Sequence, residues 1–250
     1  MLRKASLWTI AAALVSLAAA AQTADELVAK SLEARGGLDR IKSVNSAIAT
    51  GRMTGGPVEV PIVMKWKRPK KVRVEVTMQG MTGVRAFDGT AGWTIRPGPG
   101  KQDAEPMSVD ELKQVEDQPD FDGELVDYKE RGHQLELVGK ERVGGTDAWK
   151  LMLTKKSGDT TYIYLDSEAY LEIKHQTTRT LGGEEIEFET TLGDYREVGG
   201  LLFAHSIESK AKGAPMGQSI TFDKIELNVE IPDSDFFMPK ATSSAPPPGG

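Results

Sequence analysis

Alternation of polar and apolar residues between residues 134 and 229 constrains the fold of this chain more than any other feature. In the segment Glu184–Arg196, for example, Ile186 and Phe188 alternate with glutamates. Because residues two apart lie on the same side of a strand, the pattern predicts a sheet with one apolar face and one solvated face. The apolar face needs a cover. What provides that cover decides whether the chain forms only a packed fold or also a container for an apolar ligand.

Short links that contain Gly pairs separate the segments and favour antiparallel hairpins over parallel crossovers. A change of phase between Phe222 and Ile225 predicts a bulge in the last strand. A flat sheet of roughly ten to twelve strands is uncommon, so we expect this one to curl toward a barrel. The predicted strands are Val44–Thr54, Val58–Trp66, Val72–Met78, Val84–Asp88, Gly92–Arg96, Gln134–Glu141, Asp147–Lys155, Thr160–Asp166, Tyr170–Thr178, Glu184–Arg196, Leu201–Lys210 and Gln218–Val229.

Helical periodicity occurs in two places. Ala24–Ala34 carries an apolar stripe and is followed by a short helical turn at Leu38–Ser43. Ser108–Glu116 opens with a capping box, and Phe121–Lys129 is predicted to form a second short helix. The predicted fold class is therefore mainly β with a helical lid (α+β): a curved antiparallel sheet that forms an incomplete β-barrel, with its concave face covered by short helices.

The first 21 residues have the pattern of an export signal, with two basic residues, an apolar core at Leu7–Leu17 and small residues before Gln22. The apolar core is short for a membrane anchor, which is the alternative interpretation. The chain contains no cysteine, which excludes disulfides and a lipid-modified cysteine. We therefore expect a periplasmic protein with a single domain over residues 22–240 and a disordered Pro/Gly/Ser-rich tail at 241–250.

Composition and motifs argue against several classes of function. The net charge is −6 with both signs interspersed, which disfavours nucleic acid as a partner. The sequence contains no Gly-x-Ser-x-Gly elbow, no phosphate-binding glycine loop and no His-Glu-x-x-His pair. We predict no catalytic residues, no metal ligands and no cofactor, although an enzyme with a spatially assembled site remains an alternative. The histidines lie in three separate segments, at His133, His175 and His205.

Basic residues are concentrated in one predicted hairpin, between Lys65 and Arg73. A charged edge that prevents strand-to-strand aggregation is one interpretation of this basic hairpin. A docking surface for an acidic partner is the other.

Methionine and tryptophan recur on or beside the predicted strands. Methionine is flexible and adapts to irregular apolar shapes, which suits either ordinary core filling or the wall of a cavity for an acyl chain. The residues predicted to line such a lipid-binding cavity are Met64, Trp66, Val74, Val76, Met78, Trp93, Leu112, Val115, Trp149, Leu151, Ile186 and Phe188.

The order of these features resembles the periplasmic lipoprotein carrier superfamily, the LolA/LolB-like proteins. An exported start, a short helix, strands, a helical insert and a strand meander follow one another as in that superfamily. The segments that resemble its outer-membrane lipoprotein-sorting branch are TYIYLD (161–166), LEIK (171–174), LGDYR (192–196), GGLLFAHSI (199–207) and PDSDFFMP (232–239).

This resemblance implies a half-barrel whose cavity holds the acyl chains of lipoproteins or other lipids without catalysis. The lid would consist of Ser108–Glu116 and Phe121–Lys129, with Ala24–Ala34 beside it. Lipids or lipoproteins are then the expected partners, together with a membrane-bound donor or acceptor protein, and we expect a monomer. The alternative is a structural or signalling module in which the helices fill the half-barrel permanently.

Overall fold

The structure, a computed structural model, describes residues 22–98, 103–116, 121–181 and 184–240. The predicted signal segment and the predicted tail lie outside the described residues. The helices are α1 (Ala24–Ala34), α2 (Leu38–Ser43) and α3 (Val109–Glu116), and a 3₁₀ turn covers Asp233–Asp235. The strands are β1 (Ser46–Gly55), β2 (Val58–Lys67), β3 (Lys71–Met78), β4 (Met81–Phe87), β5 (Gly92–Ile95), β6 (Glu105–Pro106), β7 (Gln134–Val143), β8 (Thr146–Thr154), β9 (Thr160–Asp166), β10 (Glu172–Leu181), β11 (Glu184–Val198), β12 (Leu201–Ala211) and β13 (Gln218–Leu227).

One antiparallel sheet contains all thirteen of these strands, in the order β6-β5-β4-β3-β2-β1-β13-β12-β11-β10-β9-β8-β7. Pairing of β1 with β13 joins the N-terminal half of the sheet to the C-terminal half. The sheet is not closed, which confirms the predicted incomplete barrel. The sequence predicts twelve of these strands. The strand that it does not predict is the two-residue β6, which lies in a Gly/Pro-rich segment without the alternation that identifies longer strands.

The predicted bulge in the last strand is confirmed. Thr50 pairs with Lys224 and Gly51 with Phe222, so Asp223 is an extra residue in β13. Such a bulge bends the strand and increases its local twist. It lies where the two halves of the sheet meet.

Both α1 and α3 lie on one face of the sheet, which we call the inner face. Helix α1 begins with a capping box in which Thr23 Oγ1 accepts from the Glu26 amide at 3.2 Å. Its apolar stripe, which includes the fully buried Leu27, packs over β8, β9 and β12. Leu151 and Ile163 of the sheet are also fully buried there. The part of the inner face beneath α1 is therefore a closed core.

The prediction of a second short helix at Phe121–Lys129 is wrong, because the segment forms turns. Gly123 has a φ of 97° and Asp127 a φ of 51°, and both values lie outside the right-handed helical region. Charged contacts hold the segment instead. Arg68 Nη2 donates to both carboxylate oxygens of Asp122 at 2.8 Å, and Lys155 Nζ lies 2.8 Å from Glu124 Oε1.

The opposite, outer face of the N-terminal half is covered by the chain's own C-terminal segment, residues 231–238. Phe236 in this segment is fully buried, and its carbonyl accepts a 2.8 Å hydrogen bond from Trp93 Nε1. Lys67 Nζ lies 2.6 Å from Asp233 and Lys65 Nζ lies 2.8 Å from Asp235. The basic hairpin thus meets acidic residues of the same chain.

Candidate functional site

A cavity of about 450 Å³ lies on the inner face of the N-terminal half, between the sheet and α3. This volume is within the range of small-molecule sites in proteins. The cavity extends across the strands from β5 at one end to β13 at the other. The residues that line it are Met53, Met64, Val72, Val74, Val76, Gly83, Val84, Arg85, Ala86, Thr94, Ile95, Arg96, Pro97, Met107, Val115 and Gln218.

The alternation of β3 produces the apolar wall of the cavity. Val72, Val74 and Val76 point to the inner face, and the charged residues between them point outward. Val74 pairs with Met64 on β2 and with Arg85 on β4, and residues that pair directly share a face. One row across the sheet therefore places valine, methionine and arginine side by side at the cavity.

Helix α3 forms the other wall. Ser108 and Glu111 make a capping box in which Glu111 Oε2 accepts from the Ser108 amide and hydroxyl, both at 2.9 Å. Met107 and Val115 are buried against Phe87. Gly92 allows this close approach, because a Cβ atom there would lie 2.4 Å from Met107 Sδ.

Polar groups gather at the β4–β5 end of the cavity. Arg96 donates to Glu105 Oε2 at 2.7 Å and lies 3.5 Å from Glu111 Oε1. Hydrogen bonds from Ser108 lower the pKa of Glu111, and the positive charges of Arg96 and Arg85 lower it further. This end therefore combines an ionised carboxylate with two guanidinium groups.

The two halves of the inner face differ in how completely they are filled. Under α1, the side chains of Leu151, Leu153 and Ile163 have no exposed surface. Under α3, a small cluster around Phe87 leaves the cavity beside it. Within the described part of the chain, the cavity thus lies on the α3 side rather than under α1.

The structure brings together part of the predicted lipid-binding set. Met64, Val74, Val76 and Val115 line the cavity. Leu112 packs beside it against the cluster of α3.

The other predicted residues lie elsewhere. Trp93 is on the outer face beneath the C-terminal segment, because it pairs with Ala86, and Ala86 points away from the inner face on which the next residue, Phe87, lies. Trp66 lies on the inner face but does not line the cavity, and Met78 is exposed at the end of β3. Trp149 and Leu151 belong to the core with α1. Ile186 and Phe188 lie on β11.

The structure adds cavity residues that the sequence prediction omitted. Met53 and Met107 belong to the recurrent methionines but were not assigned to the cavity. Arg85 was missed because a charged residue in a strand is usually assigned to the solvated face. Its position two residues before the buried Phe87 was the signal that both side chains share a face.

The histidines do not converge. His175 Nε2 donates to Glu172 Oε2 at 2.6 Å, and Glu172 is buried close to Arg35. Burial raises the pKa of Glu172, but the hydrogen bond and the charges of His175 and Arg35 outweigh it and lower the pKa overall. Within the described residues, no group of three or more His, Cys, Asp or Glu side chains is arranged to hold a metal ion.

Comparison with solved structures identifies the fold. The chain superposes on an outer membrane lipoprotein-sorting protein domain from Vibrio parahaemolyticus with a TM-score of 0.58 and 14% identity, over 84% of this chain and 94% of that one. A LolA superfamily protein from Nitrosomonas europaea gives a TM-score of 0.57 and 13% identity, over 87% and 98%. A DUF1329 family protein from Desulfovibrio piger gives a TM-score of 0.59 and 12% identity, over 86% of this chain and 97% of that one. The chain therefore has the LolA-like fold that its sequence motifs predicted.

Other comparisons give no match. No protein-family model matches the sequence, and a search of curated proteins found no similar sequence. None of the helices in the described part of the chain is long and apolar enough to span a bilayer.

Proposed function

We propose that this protein is a periplasmic carrier or chaperone that buries the acyl chain of a lipoprotein or another lipid beneath α3, without catalysing a reaction. The observation that carries the proposal is the apolar cavity of about 450 Å³ between α3 and the sheet. Burial of apolar surface supplies the driving force, at about 0.8 kcal/mol for each methylene group removed from water. The fold shared with lipoprotein-sorting domains supports the same assignment.

Release of cargo requires one wall of the cavity to move, and α3 is the wall suited to that movement. It is an eight-residue helix held mainly by the cluster around Phe87 and its own capping box. Isolated helices of this length are marginal in water. By contrast, α1 is fixed by the closed core, and residues 121–131 are fixed by ion pairs. In this proposal α3 alone is the lid.

The location and partners follow from the same proposal. The export pattern at the start of the sequence directs the protein to the periplasm, where lipids cross between membranes. A carrier there receives cargo from a membrane-bound donor and delivers it to an acceptor. We expect a monomer in this role, because the sheet and α3 of one chain together line the cavity.

A non-transporting structural or signalling module is the second candidate, and the closed core under α1 favours it. In that case the helices serve only as permanent packing, and no ligand enters the space under α3. The two candidates therefore differ in whether an apolar probe binds.

Titration with a fluorescent fatty-acid probe distinguishes them. Val74→Phe adds bulk at the centre of the cavity and should weaken probe binding about tenfold or more. Thr77→Phe is the matched control, because it adds the same ring to the outer face of the same strand, where Thr77 contacts Thr82. A thermal melt of both variants verifies folding. Absence of probe binding to the wild type, or equal loss in both variants, would contradict the carrier proposal.

A further inference from the structure

Arg85 occupies an unusual position for a charged residue, on the inner face of β4. It pairs with Val74 on one side and with Thr94 on the other, and both residues line the cavity. The side chain is half-buried. Its guanidinium therefore lies at the polar end of an otherwise apolar cavity, where it is partly withdrawn from water.

No carboxylate of the described residues lies within ion-pair distance of Arg85. Its hydrogen bond to the described residues is long, 3.4 Å from Nη2 to the carbonyl oxygen of Glu111. The carboxylate of Glu111 instead accepts hydrogen bonds from Ser108 and lies 3.5 Å from Arg96, although the charge of Arg85 also helps to lower its pKa. Neighbouring arginines are paired more closely, such as Arg73 with Glu75 at 2.6 Å.

An arginine remains charged at all physiological pH values, and withdrawing it from water without a counter-ion is costly. Among the described residues Arg85 has no close acidic partner, which is explained if the partner arrives with the ligand. A guanidinium matches a carboxylate or phosphate group in charge and in the geometry of its donors.

We infer that the cargo is a single-chain amphiphile with an anionic head, a carboxylate or a phosphate, and that Arg85 binds this head. The chain then runs from β4 across β3, β2 and β1 towards Met53 and Gln218. Four strand-to-strand steps at about 4.8 Å give this path a length of roughly 19 Å, which suits an extended acyl chain. This inference rests on the proposed function and adds the chemical class of the ligand to it.

Three probes with the same alkyl chain test the inference: palmitate, hexadecyl phosphate and neutral hexadecanol, each by displacement of a fluorescent probe. The wild type should bind the preferred anion at least about tenfold more tightly than the alcohol, as expected for a charge-assisted hydrogen bond. Arg85→Gln should abolish this preference and leave hexadecanol binding unchanged. The anion whose affinity exceeds that of the alcohol by the larger factor identifies the head group.

Arg52→Gln is the control, because it removes the same charge from an exposed site that pairs with Asp223 on the outer face. It should retain the wild-type preference. Equal affinity of the wild type for all three probes, or equal loss of alcohol and anion binding in Arg85→Gln, would overturn the inference and leave the carrier proposal intact. Failure of every probe, including the alcohol, would overturn the carrier proposal itself.

Discussion

Replacing Ser108 with alanine tests whether α3 is the moving wall of the cavity. Ser108 accepts from the Glu111 amide at 3.3 Å and donates, through its amide and hydroxyl, to the Glu111 carboxylate. Loss of an N-cap side chain costs a helix about 1 kcal/mol. This corresponds to a roughly fivefold increase in the population in which α3 is open.

Hydrogen–deuterium exchange measures this population directly. Amides of residues 112–116, which hydrogen-bond within the helix, should exchange roughly fivefold faster in Ser108→Ala, while amides of the sheet keep their protection. A neutral pyrene-labelled alkyl alcohol should also bind faster, because entry depends on opening. The neutral probe is needed because the substitution removes one of the two hydrogen bonds from residue 108 to the Glu111 carboxylate, which lies near Arg85.

The second capping box of the chain provides the control. Thr23→Ala removes the same kind of cap from α1, where Thr23 and Glu26 bond reciprocally. Since α1 is fixed by the closed core, this variant should lower the thermal midpoint without changing exchange in α3 or the rate of probe entry. Unchanged exchange in α3 of Ser108→Ala, or faster exchange across the whole sheet, would refute α3 as an independent lid.

Two further predictions concern the C-terminal segment. Phe236→Ala should lower the free energy of unfolding by about 3 kcal/mol or more, because the ring is fully buried, whereas Phe237→Ala at a half-exposed ring should change it little; chemical denaturation measures both. Hydrogen bonds from Lys67 and Lys71 lower the pKa of Asp233 from 3.8 to about 2. The folded form therefore binds fewer protons than the unfolded chain between those values, so the contribution of Asp233 to stability is complete above about pH 4 and is lost as the pH falls through 2. The NMR signal of the Trp93 indole N–H, which bonds to Phe236, should report release of the segment in that window, and a signal that shifts near pH 6 would contradict this assignment.

The sheet was predictable because its signal is local. Alternation of apolar and polar residues, as in Val72–Met78, fixes which side chains share a face, and Gly-containing links fix the hairpins. The capping box at Ser108 located the start of α3 for the same reason. The helix predicted at Phe121–Lys129 was wrong, because Leu125 and Val126 enter the core from a segment of turns.

The cavity was harder to predict, because its residues depend on which elements cover each half of the sheet. Trp149 and Leu151 have the same pattern as Met64 and Val74, yet α1 closes the space above the first pair. The outer face shows the same effect. Nothing local in the basic hairpin reveals that Asp233, more than 160 residues away in sequence, lies against Lys67. Both assignments require the tertiary arrangement.

Native mass spectrometry of the protein purified without detergent tests the central claim most directly. The carrier proposal predicts a fraction of wild-type molecules that carry a bound acyl-chain compound, which is released on activation and is absent from Val74→Phe. The inference about Arg85 further predicts that the released compound is an anion. A wild-type protein that is free of bound lipid and takes up none when incubated with palmitate, hexadecyl phosphate or hexadecanol would contradict the proposal.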